Sequence, residues 1–153
     1  MKKIYALMAT LFVAFMGLTL ASCGSDDDEN GGNNGGKDSD VQISKLVDNN
    51  GVLSFTTTAK RLGETMTIDY AMAYDENDAV VSFTQTLSTN APSMYSVLEE
   101  QVAALCEEEG VSSKKISSGK YVVTFDEFVG MPNAHSVMQM LYDEMVKTTK
   151  ELQ

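Results

Sequence analysis

From Thr65 to Tyr74 the chain keeps a period of two for ten residues. Met66, Ile68, Tyr70, Met72 and Tyr74 fall on one face, and Thr65, Thr67, Asp69, Ala71 and Ala73 on the other. A helix repeats every 3.6 residues and would scatter these side chains around its surface, so the stretch is a strand. With one apolar and one wet face it needs antiparallel neighbours that alternate in the same way. The flanks supply them. Residues 52–59 place Leu53, Phe55 and Thr57 inward, and 79–87 return after Asp75-Glu76-Asn77-Asp78 with Val81, Phe83 and Leu87 toward the core. Upstream, 41–47 alternate with Val41, Ile43 and Val47 on one side, and Asp48-Asn49-Asn50-Gly51 carries the Asn-Gly hairpin signal.

The spacing changes after Asn90. Met94, Val97, Leu98, Val102 and Leu105 form one helical stripe, with Pro92 in the first turn and Gly110 as the stop. Residues 112–118 are polar and predict a connection, which Ser117-Ser118-Gly119 turns into a strand over 120–125. Met131-Pro132 opens a final helix with Ala134, Met138, Leu141, Met145 and Leu152 on one face. Lys147 and Lys150 suit its C-terminal end, whereas Glu107-Glu108-Glu109 sit at the end of the first helix that the dipole disfavours. Residues 41–153 are therefore expected to form one two-layer α+β domain. It would be an antiparallel sheet of about five strands with two helices packed on one face.

Residues 1–40 have a different character. Met1-Lys2-Lys3 is a positive start, and residues 4–20 hold only Thr10 and Thr19 as clearly polar side chains. A basic start, an apolar middle and small residues before a cleavage point make a secretory leader. A membrane span would be followed by Lys or Arg on its cytoplasmic side. Here Ala21-Ser22 meets Cys23, and then acids and glycines.

Leu20-Ala21-Ser22-Cys23 resembles the lipobox of bacterial lipoproteins: an aliphatic residue, two small residues, then cysteine. The resemblance implies a diacylglyceryl group on the Cys23 sulfur, cleavage between Ser22 and Cys23, and usually acylation of the new amine. Each buried CH₂ contributes about 0.8 kcal/mol, so two or three chains hold a protein on a bilayer without a span. Ser25-Asp26-Asp27-Asp28-Glu29 is similar to the acidic export signal of Bacteroidota-type surface lipoproteins. That implies an outer-membrane location, at the cell surface or facing the periplasm. Residues 1–22 are then a leader and 23–40 a lipidated tether. The tether after Cys23 has five glycines, three asparagines and six acids, too little apolar surface to order itself.

The formal charge is −11. Loss of Lys2 and Lys3 leaves −13, and the six acids and one lysine of the tether account for five of these, leaving −8 on 41–153. Such a domain repels phosphate backbones, which argues against nucleic-acid partners. Of two cysteines, acylation would occupy Cys23, so Cys106 is a lone thiol and no disulfide is expected.

Candidate chemistry is sparse. Cys106 and His135 are the only thiol–imidazole pair, but Cys106 lies near a helix C-terminus and before three glutamates, not at the helix N-terminus or beside the cations that an activated thiol needs. It reads as a small core residue. His135 with Met138 would be the start of a soft-metal site, yet no second histidine exists and Met138 and Met140 face different sides of a helix. Asp75-Glu76-Asn77-Asp78 lacks the calcium-loop spacing. Asp126 and Glu127 are neighbours that a strand would point apart, so they are no glycosidase pair. No cofactor or metal is expected.

Three functional classes follow. The first is a membrane-anchored, non-enzymatic binding or assembly module with an unknown protein or envelope component as partner. Its candidate surfaces are the acidic patches Asp75, Glu76 and Asp78, and Glu107, Glu108 and Glu109. The second is an inhibitory or immunity-type module against a basic protein. The third is a small hydrolase built from Asp69, Asp126 and tyrosines such as Tyr70, Tyr74, Tyr95, Tyr121 or Tyr142.

Overall fold

The computed structural model describes residues 39–61 and 63–151. The expected leader, the Ser22–Cys23 cleavage point, the tether up to 38, and Leu152 lie outside them. In chain order the elements are β1 (Ser39–Ile43), β2 (Val47–Asp48), β3 (Val52–Arg61), β4 (Glu64–Tyr74), β5 (Val80–Thr89), α1 (Tyr95–Leu105), β6 (Val111–Ser117), β7 (Lys120–Phe125) and α2 (Ala134–Glu151). Short 3₁₀ turns at Pro92–Met94 and Asp126–Phe128 lead into α1 and out of β7.

The strands form one antiparallel sheet in the order β1-β3-β4-β5-β7-β6, with β2 also on β3. Both helices pack on it, around a single apolar core. The expected α+β class is therefore present, but the sheet has seven strands rather than about five.

Two local causes account for the difference. The stretch 41–47 divides, because Ser44 breaks the ladder: its hydroxyl accepts the Thr56 N–H at 2.9 Å. Val47, expected inside, is exposed on the resulting β2. The second cause is β6, expected as a connection. It lies at the sheet's edge, and every residue from Ser112 to Ser117 is exposed. A strand wet on both faces has no alternation to betray it.

Another expectation fails at Val81. It is 54% exposed, while Val80 is buried. Ala73 pairs with Ser82 and Tyr74 with Val80, so Val81 is an extra residue opposite the end of β4. A bulge of this kind shifts the phase of the strand by one. Phe83, Leu87 and also Gln85 then point inward.

The core is aromatic at its centre. Phe83 packs against Phe125 and Phe128 at 5.4 and 4.8 Å between ring centroids, and Phe55 stacks on Tyr70 at 4.4 Å. Tyr70 donates its buried hydroxyl to Met145 Sδ at 3.8 Å. Burial pushes its phenol above the ordinary value, against a smaller pull from the neighbouring Thr57 hydroxyl. Gln85 Oε1 is buried without a hydrogen-bond partner, an unrecovered desolvation cost of about 1–3 kcal/mol. In α2, Thr148 and Thr149 satisfy their hydroxyls on the carbonyls of Glu144 and Met145 four residues back.

The strand register sorts the turns by end. Ser39 pairs with Arg61, so the chain enters beside the β3–β4 turn. At the opposite end lie the β2–β3 and β4–β5 turns, the α1–β6 connection and the segment from β7 to α2. Asp126 N–H donates to the Gly110 carbonyl at 2.8 Å and Val80 N–H to that of Met131 at 2.9 Å, tying these segments together. Residues 48–51, 75–79, 106–110 and 126–133 contain nine carboxylates and no lysine or arginine.

Candidate functional site

The densest polar cluster sits at that acidic end and is built on His135, the second residue of α2. Its Nδ1 lies 2.6 Å from Asp78 Oδ1 and its Nε2 lies 3.4 Å from Asp48 Oδ2. Tyr74 donates its hydroxyl to the same Asp48 oxygen at 2.8 Å, and its ring meets the imidazole edge-on at 4.6 Å. Four segments thus converge: Asp48 closes β2, Tyr74 closes β4, Asp78 ends the β4–β5 turn, and His135 opens α2.

Local chemistry places each of them. Asp75 spends its carboxylate on its own turn, accepting the N–H groups of Asn77 and Ala79 at 2.9 Å each. That turn delivers Asp78 in the left-handed region at φ 59°, which Asp tolerates better than most residues. Asp78 then caps α2 from outside the helix. Its carbonyl accepts Ala134 N–H at 2.8 Å and its carboxylate accepts His135 N–H at 3.3 Å. An acid here complements the positive end of the helix dipole, which also opposes a positive imidazole.

The carboxylates outweigh that opposition. Hydrogen bonding to Asp78, and then to Asp48, raises the His135 pKa above its ordinary 6.5. The Tyr74 hydroxyl, followed by His135, holds Asp48 below its ordinary 3.8, and Asp48 in turn pushes Tyr74 up. When protonated, His135 donates from both nitrogens and clamps α2 to the two turns. A raised histidine stabilises the fold fully below its unfolded pKa and loses that contribution as pH rises through the folded one. A lowered aspartate contributes above its unfolded pKa and loses it as pH falls through the folded one. Both contributions are present between about pH 4 and 6.5. The Tm difference between wild type and His135→Gln is therefore expected to be largest near pH 6 and to shrink toward pH 9. Thermal melts across that range check it, with the His135 ring titration followed by NMR.

Among the described residues, both imidazole nitrogens lie within hydrogen-bond distance of a carboxylate. Cys106 is not among the ring's neighbours; it caps the C-terminal end of α1 and is half-buried against the core rather than wholly inside. Met138 is fully buried while Met140 is 61% exposed, so they do face different sides of α2. Among the described residues no group of three His, Cys, Asp or Glu side chains is placed to hold a metal.

The other expected site residues are dispersed. Asp69 lies mid-strand on the outer face, where it accepts the Thr56 hydroxyl at 2.7 Å and shares a row with Val122. Asp126, four residues further along, is in a 3₁₀ turn with Glu127, both exposed. Asp69 and Asp126 are thus not brought together, and Tyr70 and Tyr121 are buried. By contrast, the two acidic patches lie at the same end of the sheet. Glu107, Glu108 and Glu109 are exposed just before Gly110, whose carbonyl accepts the Asp126 N–H. Sequence reading named Asp78 and His135 separately but not their pairing, and took Asp48 for a simple turn residue. Comparison with protein-family models, curated proteins and solved structures found no match. No helix among the described residues is long and apolar enough to cross a membrane.

Proposed function

We propose that the chain is a lipoprotein held in the outer membrane through Cys23, whose domain is a non-enzymatic binding or assembly module. The observation that carries the reading is one of polarity. The chain enters the fold beside the β3–β4 turn, and the nine carboxylates gather at the other end. A tether joined at one end leaves the acidic end unobstructed, free to meet a partner bearing lysines or arginines. Such a surface steers association through its field. An inhibitory module against a basic protein would use the same surface and is the second reading.

Two measurements test this. Cys23→Ser should move the protein from the membrane fraction to the soluble one, while wild type incorporates labelled fatty acid. A photo-crosslinking residue at Asn77 should capture a partner in intact cells, and one at Lys120, at the opposite end, should not. Membrane retention of the serine variant, or equal capture at both ends, would overturn the proposal.

A further inference from the structure

Six large apolar side chains are well exposed among the described residues, and four of them are valines at the acidic end. Val47 and Val52 lie on the outer face of the sheet, since Leu53 and Phe55 point inward. Val47 pairs with Ser54, which pairs with Ala71; Val52 pairs with Ala73, which pairs with Ser82. The bulge at Val81 turns a fourth column outward beside Ser82. Val129 follows, because its neighbour Gly130 donates to the Val80 carbonyl at 2.8 Å. With strands about 4.8 Å apart, these side chains form a band across four columns of the sheet. Neither helix lies on this face. Scattered exposed valines are ordinary; a contiguous band with a charged rim marks an interaction surface.

The rim identifies the occupant. Asp75 follows Ala73 in the outward phase, and the exposed Asp126 and Glu127 precede Val129. We infer that this band is a docking site for a basic segment that alternates apolar and cationic side chains. Its apolar residues would cover the valines while its lysines or arginines reach the carboxylates. A second copy of this chain is a poor occupant, because it would set carboxylates against carboxylates. The inference rests on the binding-module reading and specifies the partner's chemistry.

The test uses the full lipidated chain in a non-ionic detergent, with an alternating lysine–valine peptide and an oligolysine of equal charge as probes. Wild type should bind the lysine–valine peptide at least about tenfold more tightly than oligolysine. Val52→Thr/Val81→Thr/Val129→Thr keeps the β-branched shapes and should abolish that preference, leaving oligolysine binding unchanged. Asp75→Asn/Glu76→Gln/Asp126→Asn/Glu127→Gln should weaken both peptides. Should the triple variant melt early, Val81→Thr alone should still weaken the lysine–valine peptide by about threefold. Wild type binding both peptides equally, with loss only in the carboxylate variant, would overturn the docking band while the acidic-end reading stands. Binding of neither peptide would overturn both.

Discussion

Replacing Gly119 by alanine is expected to destabilise the domain by about 2–5 kcal/mol. Gly119 closes the β6–β7 hairpin at φ +72°, and its carbonyl accepts the Thr89 N–H at 2.8 Å. A side chain in this left-handed region costs about 1–2 kcal/mol by itself. A Cβ would also lie 2.4 Å from Tyr95 Cε1 and 2.8 Å from the Thr89 carbonyl oxygen. The tyrosine could swing away, but the carbonyl belongs to the β5 backbone and cannot. Relieving such overpacking costs about a further 1–3 kcal/mol. Gly63 is the control, with φ +83° and nothing within 4 Å of its added Cβ. Gly63→Ala should lose only the backbone contribution. Urea denaturation of the two variants, at unchanged m-value, separates the terms.

Truncating Phe83 to alanine should cost about 3–5 kcal/mol. Its ring is fully buried and in contact with those of Phe125 and Phe128, so it joins β5 to β7 and to the 3₁₀ turn beyond. The two remaining rings, Phe125 and Phe128, cannot collapse into the vacated space without leaving their rotamers, so most of the cavity would persist. Domains of this size have about 5–15 kcal/mol in total, so the variant should approach half-unfolding at moderate urea. Phe83→Leu should recover a large part of the loss. A midpoint unchanged from wild type would mean that β5 does not anchor the core.

What could be read beforehand follows from which interactions are local. The inward faces of β3, β4 and β7 were legible because each keeps a strict alternation that one buried face imposes. The helical stripes were legible too: Leu98, Val102 and Leu105, and Ala134, Met138, Leu141 and Met145, are all buried. Val81 misled because a single unpaired residue inverts the phase, and nothing in the side chains announces it. Gln85 sits in the core phase of β5 although its polarity argues against it; the backbone pairing of Leu87 and Phe83 on either side leaves it no choice. The histidine clamp was beyond reach for a different reason. Its partners lie 57 and 87 residues upstream, so only the folded strand order brings them together.

The margin at β6 has a consequence for life at high density. If the chain is held on a membrane as proposed above, its copies would collide side-on far more often than free ones, and an open strand invites the next chain to hydrogen-bond along it. Lys114 and Lys115 place a positive charge on each side of this strand, and Ile116 interrupts its regular spacing. Glu99 and the Tyr121 ring hold Lys115 in place, at 3.5 and 5.6 Å. Two such borders repel each other and do not mesh, so neighbours can crowd together without zipping into fibrils.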